Sequence, residues 1–142
     1  MTRHSQADET TVGREAQRLR VWQALSAVAL LVMAGIHVFL VLQGFGGLLG
    51  TLFVLNGIGG LVLAIAIVAA PRRFLPVVSV LSLLFLVGTL LGLLTALTPA
   101  GLLGIHEQID GQLVPTTLVV ESLGALVLVA TTILAFRGRR SG

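Results

Sequence analysis

Cysteine, tyrosine and lysine are absent, and only 11% of the 142 residues are charged. Without cysteine the chain has no disulfide, no thiolate metal ligand and no lipid attached through sulfur. A charge content this low excludes a nucleic-acid surface, which needs basic side chains clustered on a folded soluble face. Recognised catalytic arrangements are missing too. No nucleophile and base stand at a known spacing, and Gly44-Phe45-Gly46-Gly47 is no phosphate loop. That run follows a helical stretch rather than a strand, and no Lys with Ser or Thr completes it.

Apolar residues fill the space left by these absences. They make up 56% of the chain, with a mean hydropathy of +1.03. A soluble domain of this size cannot bury that much apolar surface, so the solvent implied is a bilayer. The pattern predicts an all-α membrane protein, a four-transmembrane-helix bundle with both termini cytoplasmic. The spans are expected at about 21–42, 51–70, 74–97 and 115–136, each near the 20 residues that cross hydrocarbon. Residues 1–20 read as a disordered cytoplasmic tail whose last turn, from Arg14, continues into the first helix. Residues 137–142 read as a short basic cytoplasmic tail. A signal peptide is the rival reading of the N-terminal region; the apolar run is too long for one and lacks a convincing cleavage site.

All nine basic residues are Arg, and they flank the spans at one end. Arg18 and Arg20 stand before the first span with Trp22 at its entry, Arg72 and Arg73 between the second and third, and Arg137, Arg139 and Arg140 after the fourth. The two remaining loops hold no Arg. An even number of spans and this asymmetry give the same answer under the positive-inside rule: the Arg end is the cytoplasmic end. The expected location is a bacterial cytoplasmic membrane, as a multi-pass protein. Expected partners are the bilayer itself and a membrane-protein partner or second copy, with no nucleic acid.

Three spans each carry one polar group near the opposite end. His37, Asn56 and Glu121 are predicted to lie roughly 8 Å below the outer surface at 1.5 Å per helical residue. Small residues share their stripes: Ala27 and Ala34 with His37, Gly59 or Gly60 with Asn56, and Thr117 and Thr132 with Glu121. Thr89 and Thr95 of the third span can join them. Because small-residue faces turn toward neighbouring helices, the polar groups should face inward. Glu121 stands out, since a carboxylate within a span costs about 2.5–3.5 kcal/mol on insertion scales. Gly88 and Gly92 form a G-x-x-x-G pair, read as helix packing.

His106, Glu107 and Asp110 lie in the loop just outside this layer. His37, His106, Glu107 and Glu121 could together ligate a divalent metal such as zinc, and Met33 beside His37 would suit copper. Haem is a further candidate through two histidines at similar depth, although paired histidines within spans are missing. The chain thus requires no cofactor, and the loop acids read equally as a solvated face.

Ile36-His37, the glycine-containing turn Gly44 to Gly50, Leu52-Phe53-Val54-Leu55-Asn56 and Val119-Val120-Glu121 form a pattern. It resembles a group of small four-span actinobacterial membrane proteins of unassigned function. The resemblance covers most of the chain after Arg20 and implies architecture without a reaction. The chain departs from the group in lacking a tyrosine near the outer turn.

Two functional readings follow. The first is a non-enzymatic accessory or scaffold subunit. The second is a metal-, haem- or quinone- and proton-handling protein that uses His37, Asn56 and Glu121, since a His and a carboxylate in one cleft can exchange protons with a quinone. A lipid-modifying enzyme ranks third, because no acid–base pair exists outside this layer.

Overall fold

The computed structural model describes the backbone of residues 3–111 and 113–140, and side-chain surroundings from 13 to 139 except at 112. The chain forms four helices: α1 (Arg3–Leu42), α2 (Gly47–Ala69), α3 (Leu75–Ala96) and α4 (Val114–Arg140). All four are long and apolar enough to cross a membrane. At 1.5 Å per residue, the 22 residues of α3 reach about 33 Å, against a hydrocarbon core of about 30 Å.

The N-terminal region differs from expectation. Helix runs from Arg3 without a break into the first span, so residues 3–20 are a helical extension and not an irregular tail. Nucleation is the costly step in helix formation, and the span supplies the nucleus. The Ala, Glu, Gln and Arg residues here then need only propagate it, and all are good helix formers. At the other terminus α4 continues four residues past Phe136, through the arginines. The side chains of Arg3 and Arg140 lie outside the described surroundings.

Helix ends follow from glycine and proline. After Leu42, Gly44 takes φ +95°, a left-handed conformation at a helix C-terminus that costs glycine little. The turn is short, because α2 begins at Gly47 and not near 51. Gly50 lies against the carbonyl of Phe45, where a side chain would collide. Pro71 ends α2, and Pro76 occupies the first turn of α3, where its missing N–H costs nothing.

Antiparallel connections bring residues 14–20, 71–73 and 137–139 to one end of the bundle, called here the arginine end. The loops at 43–46 and 97–113 form the other. Around the bundle, α1 packs on α2 and α4, and α4 packs on α3, while α2 and α3 share the thinnest seam. Leu30, Met33, Ile67, Leu75, Leu86 and Leu128 are fully buried in one cluster. Gly60 lets α1 and α2 close: a β-carbon there would stand 3.1 Å from Ala34 Cβ, Leu30 O and Met33 Cε. Gly124 does the same for α4, between Leu86 and Ala29. Ser26 and Thr131 hydroxyls bond across α1 and α4 at 2.8 Å, and Gln23 Nε2 donates to Ile67 O at 2.9 Å. These are the two devices available where lipid removes the hydrophobic drive: close backbones and interhelical hydrogen bonds.

Candidate functional site: a polar cavity at the loop end

Buried positions on α4 recur every three or four residues: Thr117, Glu121, Gly124, Leu128, Thr131 and Ala135. This is the stripe a helix turns toward its neighbours. On α1 the same stripe is Ser26, Leu30, Met33, His37 and Leu40. Glu121 and His37 therefore face inward because of their phase, with 1% and 5% exposure.

Above the apolar cluster the helices do not close. A cavity of about 420 Å³ lies among α1 to α4 in the loop-end half of the bundle. His37, Asn56, Thr89, Thr117, Glu121 and Glu107 contribute its polar lining. The three expected site residues thus share one wall-bounded space. Their depths differ slightly. Asn56 lies nine residues into α2 and His37 five from the end of α1, so they stand about 13 and 8 Å from their helix ends.

Each polar group is held differently. His37 Nδ1 lies 2.9 Å from Met33 O. A carbonyl only accepts, so Nδ1 carries the proton, and in the neutral ring Nε2 is left as an acceptor. The imidazole meets Phe53 edge-on at 5.3 Å between ring centroids, and Phe53 meets Phe45 at 5.7 Å. Glu121 Oε2 is buried with no hydrogen-bond partner. Thr89 reaches toward the carboxyl group from α3, while its hydroxyl donates to Leu86 O at 2.8 Å.

The α3 glycines behave differently from the packing role assigned to them. Gly88 is exposed, has nothing within 4 Å of where a β-carbon would stand, and lines the cavity. Gly92 also lines it, with only Leu102 Cδ2 nearby at 3.6 Å. The pair widens a space instead of closing an interface, because α2 and α3 have diverged at that height. Just below, Phe85 fills the seam: its ring would lie 2.8 Å from a β-carbon on Gly59. Thr95 stays out of the site, exposed and bonded to Leu91 O at 2.7 Å, and half-buried Thr132 on α4 has a buried hydroxyl without a partner.

The loop from 97 to 113 covers the outer side. Leu102 and Ile105 exchange two backbone hydrogen bonds of 2.8 Å, and Leu103 and Gly104 between them both have positive φ. This is the tight turn that needs left-handed residues at both central positions. It directs Leu102, Ile105 and Glu107 onto the cavity. His106 goes elsewhere: its Nε2 lies 3.1 Å from Pro99 O and it is exposed. The grouping of His37, His106, Glu107 and Glu121 as metal ligands is therefore not assembled. Among the described residues no three His, Asp or Glu side chains stand close enough to hold a metal ion. Only one histidine lines the cavity, so a two-histidine haem site is not assembled either.

Phe45, Phe53 and Phe85, absent from the sequence-based site, line the cavity. Phe53 precedes Asn56 by three residues, one helical turn on the same side, and that spacing was the available signal. Compared with models of known protein families, with curated proteins and with solved structures, the chain matches none.

Proposed function

We propose that this is a ligand-binding protein of the bacterial cytoplasmic membrane. Both termini are cytoplasmic, and a small amphiphilic molecule occupies the cavity at the periplasmic side. The observation that carries this reading is Glu121: a fully buried carboxyl group with an unpartnered oxygen on the wall of a cavity of about 420 Å³. Insertion of such a group is costly, and intramembrane ionisable residues are functional candidates for that reason. The cavity's size and its apolar lining with a few converging polar groups suit a small-molecule site. Orientation is supported by nine Arg at one end of four spans, and the bacterial setting by the resemblance to small actinobacterial four-span proteins.

In this reading His37, Asn56 and Glu121 contact the polar part of the ligand, and Phe45, Phe53 and Phe85 its apolar part. No bond-making residue is invoked. The test is mass spectrometry of an organic extract from the purified protein. A small molecule retained by the native chain should be lost from Gly88→Leu, whose side chain projects into the cavity. Identical extracts from both would end the reading.

The accessory or scaffold reading remains as the second one. It is supported by Gly35, which is exposed in the last third of α1 with nothing within 4 Å of its missing side chain, among exposed Leu31, Val32 and Phe39. A lone monomer after mild purification would count against it.

A further inference from the structure

The cavity offers more hydrogen-bond acceptors than donors, and no cationic donor. Glu121 Oε2 is unpartnered, and the Glu107 carboxylate lines the same wall. His37 has committed its Nδ1 proton to Met33 O, leaving Nε2 as a lone pair in the neutral ring. The Thr89 proton is committed to Leu86 O. Asn56 and Thr117 carry the donors without a partner, an amide and a hydroxyl. No Arg lines the cavity, and the sequence has no Lys. A carboxylate- or phosphate-headed ligand would find no cationic group to bind it. Three phenylalanine rings also line the space, and aromatic faces attract desolvated cations.

We infer that the occupant is a lipophilic organic cation, an amine or ammonium amphiphile, whose charge sits between Glu121 and the phenylalanines and which arrives sideways from the lipid between α2 and α3. This rests on the ligand-binding reading above. The counter-charge that a buried carboxylate needs is missing from the protein and is brought by the ligand. The sideways route follows from Leu84 and Gly88. Both line the cavity, and both are exposed about midway along a span, beside the seam where α2 and α3 meet least. The loop end is covered by Leu102 and Ile105, and Phe85 against Gly59 lies at the bottom of the seam.

Equilibrium dialysis of the purified full chain in mild detergent tests this with two probes: tetraphenylphosphonium, a lipophilic cation, and menadione, a neutral quinone. Tetraphenylphosphonium should bind saturably and lose about tenfold or more in affinity with Glu121→Gln, the size expected when a charge-assisted contact is removed. Gly88→Leu should abolish it, and Asp110→Asn, in the exposed loop, should leave it unchanged. Menadione bound in a Gly88-dependent way without tetraphenylphosphonium would overturn the cation assignment and leave the site standing. Failure of both probes would overturn both. Tetraphenylphosphonium binding indifferent to Glu121→Gln and Gly88→Leu would also overturn the inference. Should Glu121→Gln fail to fold, Glu107→Gln and Gly88→Leu read the same charge and space, and tetraphenylphosphonium binding indifferent to both overturns it.

Discussion

Between Ser26 and Met33 the inward face of α1 is packed against its neighbours, with Ser26, Leu30 and Met33 fully buried; between His37 and Leu40, the same helix faces a cavity. The arginine-end half has Leu30, Ile67, Leu86 and Leu128 interlocked, glycines where backbones touch, and a hydroxyl pair, Ser26 and Thr131, bonded to each other. In the loop-end half, glycine opens room and the main polar group lacks a partner. Both halves use the same residue types. What differs is whether α2 and α3, joined tightly through Pro71 to Phe74, are still in contact at that height. A glycine is therefore a packing device or a cavity wall according to the divergence of its helices, which its own sequence neighbourhood does not encode.

Placing the same large side chain in each half tests this contrast most strongly. Gly60→Leu should drive against Ala34, Leu30 and Met33 and cost about 1–3 kcal/mol or more, read as a large fall in thermal stability in detergent. Gly88→Leu should leave stability nearly unchanged. Equal losses would mean that the cavity half is as closed as the other. A smaller effect is expected from the polar pair: Ser26→Ala or Thr131→Val should each cost roughly 0.6 kcal/mol and at most about 1.7, measured by unfolding in mixed micelles. Smaller still, Glu121→Gln should hold or slightly raise stability, because it replaces an unpartnered buried carboxyl with a neutral amide. A marked loss on that substitution would show that Glu121 is structural glue and erase the difference between the halves. Reporter fusions at residue 142 should behave as cytoplasmic and fusions in the 97–113 loop as periplasmic; the reverse would put the cavity in the other leaflet.

Much of this was legible from letters alone. Span number follows from apolar run length, and the ends follow from Pro71, Pro115 and the glycines near 44. Counting 1.5 Å per residue from either end brought His37, Asn56 and Glu121 to similar depth, and phase against small residues turned them inward. The start of α2 was placed late because Gly47 to Gly50 reads as a turn, whereas the Phe45 carbonyl needs a bare backbone beside it at Gly50. Polarity reads residues 1–20 as an irregular tail, but polarity describes solvent exposure and not backbone state. Sequence proximity to Glu107 puts His106 just outside the polar layer and within apparent reach of it. Consecutive residues in an extended segment point opposite ways, so only Glu107 could reach the cavity. The α2–α3 divergence itself depends on long-range geometry, and so the cavity could not be foreseen.

Phe85 seated on Gly59 has one more consequence. Leu84 and Phe85 are the deepest α3 residues on the chamber's wall, so the chamber stops partway along the bundle and none of its lining reaches the arginine end. On the ligand-binding reading, a chamber closed off at mid-bundle makes the molecule, in this conformation, a receptacle rather than a conduit.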